Sequence, residues 1–91
     1  MKTRAHLFIS GRVQKVGFRV FVSEVALSHA LAGYVMNTGN SEIEAVFEGE
    51  KDSIQSAIRK CKDGIPSAKV EIVDVNWSER PEGLTTFMIR Y

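Results

Sequence analysis

The spacing of the apolar residues changes along the chain between the period of a strand and the period of a helix, which limits the possible folds. In AHLFIS, residues 5–10, Ala5, Leu7 and Ile9 lie on one face, as in a strand with one buried face. After the segment 11–17 the spacing becomes three and one, which is typical of an amphipathic helix. This second stripe consists of Phe18, Phe21, Val22, Val25, Ala26 and His29. A strand followed by a helix is therefore predicted, with Gly33 ending the helix.

The same change of period occurs again in the next fifty residues. A short strand is predicted at 34–36 and a half-exposed strand at 43–47, with turn residues at 37–41 between them. Glu42, Glu44 and Glu48 alternate with the apolar residues, which predicts a solvated strand face. A second helix follows, with Asp52 as its predicted N-cap. Its apolar stripe consists of Ile54, Ala57, Ile58 and Cys61.

Two more strands complete the predicted element order. The segment 70–77 changes its apolar phase between Ile72 and Val73, which indicates either two covered faces or a bulge. A short last strand is predicted at residues 87–91. The order β-α-β-β-α-β, with one strand added, predicts an α+β ferredoxin-like sandwich: two helices on one face of an antiparallel sheet. We expect a single domain over residues 1–91, and the fold alone does not identify a function.

Composition excludes several classes of function. The net charge of +1 argues against broad electrostatic binding to nucleic acid or to a membrane surface. Cys61 is the only cysteine, so no internal disulfide can form, and its place on an apolar stripe predicts a buried thiol. With two histidines beside it, no metal site is expected. No signal region or membrane span is evident, which predicts a cytoplasmic protein.

The loop GRVQKVGFR, residues 11–19, joins the first strand to the first helix. Its glycines allow successive main-chain N–H groups to face inward, and the N-terminus of a helix favours an anion. Arg19 falls in the first helical turn, where its charge opposes the helix dipole unless an anion lies between them. Neither the P-loop pattern nor G-x-G-x-x-G is present. The residues alone leave two interpretations open, a small-anion site and a plain polar turn.

The chain resembles the acylphosphatase family, whose hallmark is G-x-V-Q-G-V-x-F-R followed by G-x-V-x-N. The corresponding strings here are GRVQKVGFR at 11–19 and GYVMN at 33–37, followed by Ile43 and Glu44. Gly64, Pro66, Ala68, Val70 and the final FMIRY also resemble family positions. The resemblance therefore spans nearly the whole chain.

By this resemblance the protein is an enzyme that hydrolyses acyl phosphates to a carboxylate and inorganic phosphate, without metal or cofactor. Arg19 would bind the phosphoryl oxygens and Asn37 would position the attacking water. The main-chain phosphate cradle would consist of Gly11, Arg12, Val13, Gln14, Lys15, Val16, Gly17 and Phe18. The chemistry agrees, because a carboxylate with a conjugate-acid pKa of about 4 to 5 leaves without a general acid. Phosphoryl transfer then needs mainly alignment and charge stabilisation.

The sequence departs from the family pattern at three places, one of which is Asn40-Ser41 where the hairpin often has Asp-Gly or Asn-Gly. Lys15 stands where the hallmark has glycine, and a left-handed backbone there would cost about 1 to 2 kcal/mol. We expect Lys15→Gly to change turnover by less than about tenfold. Ala30 replaces a frequent helix-ending glycine, so the first helix is expected to run longer or to end at Gly33.

Two other classes of function compete with hydrolysis. A non-catalytic phosphate- or anion-binding regulatory module would use the same cradle, and such modules occur inside larger proteins. The end of this chain at Tyr91 favours a free-standing enzyme, and a monomer is expected. Single-stranded RNA binding is the second competitor, since KVGFRVFV resembles an aromatic RNA-binding strand. That signature belongs on the third strand, which here is acidic, so no nucleic acid partner is expected.

Overall fold

The computed structural model describes residues 2–13, 17–39 and 41–90. The observed element order is the predicted one, and the ferredoxin-like βαββαβ arrangement with an added strand is confirmed. The elements are β1 (Lys2–Arg12), α1 (Phe18–Ser28), β2 (Ala32–Asn37), β3 (Glu42–Glu50), α2 (Lys51–Asp63), β4 (Lys69–Ser78) and β5 (Phe87–Arg90).

The five strands form one sheet in the order β4-β1-β3-β2-β5. The pairs formed among β1 to β4 are antiparallel, as predicted. β5 pairs in parallel with β2, so the complete sheet is mixed. The chain leaves β4 at one edge and enters β5 at the other. Residues 79–86 therefore cross one whole end of the sheet, a segment that we call the crossing loop.

The core lies between the two helices and the face of the sheet that they cover. Phe18, Phe47 and Leu7 are the largest of its fully buried side chains. Cys61 is buried there as predicted, and burial raises the pKa of its thiol to about 12, so it stays protonated and unreactive at neutral pH. No helix in the described part of the chain is long and apolar enough to cross a membrane.

Glu48 is not exposed to solvent, in contrast to the solvated strand face predicted for Glu42, Glu44 and Glu48. Its side chain is only 4% exposed and lies 2.5 Å from Nη1 of Arg4. It also accepts three backbone N–H bonds from the crossing loop, from Glu82 at 2.8 Å, Leu84 at 3.0 Å and Gly83 at 3.1 Å. Burial opposes ionisation of Glu48, but these four donors outweigh it and hold the pKa of Glu48 below its ordinary value. Glu48 therefore fastens the crossing loop to the sheet.

Three local expectations are settled by the backbone. Asp52 is not the N-cap of α2, because the helix already begins at Lys51 and Glu50 occupies the cap position without a side-chain bond. The phase change near Ile72 is a bulge: Ser10 pairs with Ile72 but Gly11 pairs with Val70. The predicted end of α1 was wrong. The helix ends at Ser28, and Gly33, where it was expected to end, lies inside β2.

Ala30 explains the early end of α1. It adopts φ 56°, the left-handed conformation that glycine usually supplies after a helix. The helix therefore ends in the left-handed conformation that glycine usually adopts. The Cβ of Ala30 makes this conformation less favourable by about 1 to 2 kcal/mol.

We predict that Ala30→Gly raises the free energy of unfolding by about 0.5 to 1 kcal/mol. The relieved strain exceeds the extra entropy that glycine gives to the unfolded chain. Urea denaturation of the two proteins measures the change. Ala32→Gly is the matched control. Ala32 lies in β2, where replacing alanine by glycine should lower the free energy of unfolding by a similar amount. A lower stability for Ala30→Gly would contradict the prediction.

Candidate active site

The junction between β1 and α1 leaves a helix N-terminus open to an anion. Gly17 precedes the helix in the left-handed conformation with φ 77°, and no side chain caps the helix. The first turn contains no acidic residue. The first helical bond found there runs from the N–H of Phe21 to the carbonyl of Gly17 at 3.1 Å. The amides of residues 18–20 therefore precede the intrahelical ladder, at the positive end of the helix dipole.

A cleft of about 80 Å³ lies in front of this helix end. It is lined by Val13, Gly17, Phe18, Arg19, Val20, Asn37 and Ile89. The structure thus brings the predicted arginine and asparagine to one small cleft, together with part of the predicted cradle. Gly11 and Arg12 end β1 and do not line it. Gln14, Lys15 and Val16, which belong to the predicted cradle, lie outside the described residues.

Arg19 reaches across the cleft towards the last strand. The side chain is half-buried, and its Nη1 lies 3.5 Å from the carbonyl oxygen of Arg90, the long limit of a hydrogen bond. Arg19 lines the cleft, and its guanidinium lies near the end of β5. A guanidinium in this position adds a forked pair of donors to the helix N-terminus.

Asn37 lies at the end of β2, opposite Ile43 of β3. The hairpin that follows is held by Thr38, whose N–H and hydroxyl both donate to the carbonyl of Glu42, at 3.0 and 3.3 Å. Oδ1 of Asn37 is buried, and it is the one such side-chain atom that lacks a hydrogen-bond partner within the described residues. Because an unpaired buried acceptor costs about 1 to 3 kcal/mol, this atom indicates a place for a donor such as water.

Ile89 is a lining residue that sequence reasoning did not assign to the site. It lies on β5, whose parallel pairing with β2 sets Ile89 opposite Val35, two residues before Asn37. The sequence predicted a short last strand that includes Ile89, but no local signal showed which edge of the sheet β5 would join. Over residues 2–13, 17–39 and 41–90 there is also no group of three or more metal-binding side chains.

Comparison with known proteins gives a consistent result. Residues 5–89 match the model of the family described as Acylphosphatase. The chain is 43% identical over 89 residues to a protein named Acylphosphatase from Synechococcus sp. (strain JA-2-3B'a(2-13)), covering 98% of this chain and 94% of that protein. It is 46% identical over 80 residues to a protein of the same name from Roseiflexus sp. (strain RS-1), covering 88% and 85%.

Solved structures agree with the sequence matches. The crystal structure of an acylphosphatase from Bacillus subtilis superposes with a TM-score of 0.96 at 37% identity, covering all of both chains.

Proposed function

Because this chain belongs to the acylphosphatase family and hydrolyses acyl phosphates, we propose that Arg19 binds the phosphoryl group and Asn37 positions the attacking water. One observation carries the proposal: the unpaired, buried Oδ1 of Asn37 shares a small cleft with Arg19 at an uncapped helix N-terminus.

Binding of the phosphoryl group would use main-chain and side-chain donors together. The amides of residues 18–20, at the start of α1, supply donors at the positive end of the helix dipole. The guanidinium of Arg19 supplies two parallel donors to the phosphoryl oxygens. Charge in phosphoryl transfer spreads over these oxygens in the transition state, so donors fixed around them lower the barrier.

Attack on phosphorus would begin from a water that donates a hydrogen bond to Oδ1 of Asn37. The new bond joins the water oxygen to phosphorus, and the bond from phosphorus to the carboxyl oxygen breaks. The carboxylate leaves with the bonding electrons and needs no proton, because its conjugate acid has a pKa of about 4 to 5. An amide orients water but is a poor base, so the proton of the water passes to a phosphoryl oxygen.

We predict that Asn37→Ala lowers kcat for benzoyl phosphate by about 10²-fold, because the water loses its alignment. The inhibition constant of inorganic phosphate should change by less than about threefold, since the phosphoryl donors remain. Asn76→Ala is the matched control, because Asn76 is exposed on β4. Unchanged turnover, or an equal loss of turnover and phosphate binding, would disprove the assigned role of Asn37.

The proposal extends to the state in which the protein acts. Because α1 and β2 of one chain already bring Arg19 and Asn37 to the same cleft, we propose that a monomer is sufficient for activity. The one cysteine is buried, which is consistent with a reducing compartment such as the cytoplasm. Inorganic phosphate would be both product and competitive ligand, and neither a cofactor nor a nucleic acid enters the mechanism.

A further inference from the structure

The cleft is too small to hold a complete aryl acyl phosphate. Its volume is about 80 Å³, whereas an apolar cavity known to bind benzene measures about 150 Å³. Pockets that enclose drug-sized ligands measure about 300 Å³ or more. The cleft therefore matches a phosphoryl group, and the acyl group of a bound substrate must lie at its mouth.

Val20 is the exposed apolar residue at that mouth. It follows Arg19 in the first turn of α1, lines the cleft and is 52% exposed, so it has no full packing role in the core. The half-buried side chain of Ile89 lines the same cleft from β5. An isolated exposed apolar side chain needs no explanation, but one beside a charged phosphoryl site offers the acyl group an apolar contact.

We infer that Val20 is a specificity-determining residue, which contacts the acyl group and favours acyl phosphates with a bulky apolar or aromatic acyl group. The inference rests on the proposed function, because it requires the phosphoryl group to occupy the cleft beside Arg19. The acyl group touches Val20 from the outside, and Ile89 forms the apolar wall behind it. A small acyl group, such as acetyl, reaches little of this surface.

The test compares two substrates that share the phosphoryl group and differ in the acyl group. Removing the apolar contact in Val20→Ser should lower kcat/KM for benzoyl phosphate about fivefold, as expected for the loss of roughly 40 Å² of apolar contact. The value for acetyl phosphate should change less than twofold. Val20→Leu should keep or raise the preference for benzoyl phosphate. Inhibition by inorganic phosphate should stay within about twofold in both variants, because phosphate has no acyl group.

Leu27→Ser is the matched control. Leu27 lies on the same helix, is 62% exposed and does not line the cleft, so this variant should keep the wild-type ratio of the two substrates. An unchanged ratio in Val20→Ser, an equal loss for both substrates, or a parallel loss of phosphate inhibition would overturn the inference. A wild-type protein that hydrolyses neither substrate would instead refute the proposed function, and the inference with it.

Discussion

Arg19→Ala is expected to lower kcat/KM for benzoyl phosphate by about 10³-fold, the largest effect on activity that we predict. Loss of one fixed donor to a developing oxyanion typically costs 10²- to 10³-fold, and loss of an arginine from a phosphoryl-transfer site about 10³-fold or more. The variant should also bind inorganic phosphate more weakly, because in the proposed mechanism the guanidinium binds the product as well as the substrate. Steady-state kinetics with phosphate as inhibitor measures both quantities.

Two variants distinguish the donor geometry of the Arg19 guanidinium from the effect of its positive charge alone. Arg19→Lys keeps the positive charge but loses the forked donor geometry, so it should recover only part of the lost activity. Arg59→Ala removes an exposed arginine of α2 that donates to Oγ of Ser56, and it should retain full activity. Wild-type turnover in Arg19→Ala would show that the phosphoryl group binds elsewhere.

Glu48→Ala is expected to lower the free energy of unfolding by about 3 to 5 kcal/mol, the largest effect on stability that we predict. The substitution leaves Arg4, whose side chain is 14% exposed, without its buried carboxylate. It also leaves the N–H groups of Glu82, Gly83 and Leu84 without their acceptor. Urea denaturation at neutral pH measures the loss.

Glu82→Ala is the control for the buried carboxylate. The carboxylate of Glu82 also lies near Arg4, at 3.5 Å, but it is 65% exposed. Exposed ion pairs contribute about 1 kcal/mol or less, so this variant should be nearly as stable as the wild type. A loss in Glu48→Ala no larger than that in Glu82→Ala would show that the crossing loop does not depend on Glu48.

The pH dependence of stability follows from the lowered pKa of Glu48. The folded state holds this pKa below the ordinary value of 4.5, so unfolding at acid pH takes up a proton. The stabilisation by Glu48 is therefore complete above the unfolded pKa and is lost as the pH falls through the folded pKa. Urea denaturation at a series of pH values below about 5 should show a smaller acid destabilisation in Glu48→Ala than in the wild type.

The crossing loop also links this carboxylate to the active site. Residues 82–84 lie a few residues before β5, and β5 carries both Ile89 and the carbonyl of Arg90 that faces Arg19. Glu48 lies at the opposite end of the sheet from Asn37, since it pairs with Ala32 at the start of β2. The crossing loop that Glu48 binds therefore leads directly into the strand that forms one wall of the cleft.

Local patterns in the sequence predicted the element order and the fold. The two-residue spacing of Ala5, Leu7 and Ile9, and the helical stripe that begins at Phe18, reflect the geometry of single elements, which neighbouring residues determine. The order of Arg19 and Asn37 within two family motifs likewise indicated an acyl phosphate site. The backbone strain at Ala30 was missed, because no local periodicity distinguishes an alanine in a left-handed helix end from one that continues the helix.

Only the tertiary structure determined which groups Glu48 contacts and which residues line the cleft. By periodicity Glu48 resembles Glu42 and Glu44, but its partners are Arg4, 44 residues earlier, and the backbone of Glu82, 34 residues later. The place of Ile89 beside the cleft depends in the same way on β5 joining β2. A sequence pattern reports the neighbours within one element, whereas contacts between elements arise only when the chain closes its long loops.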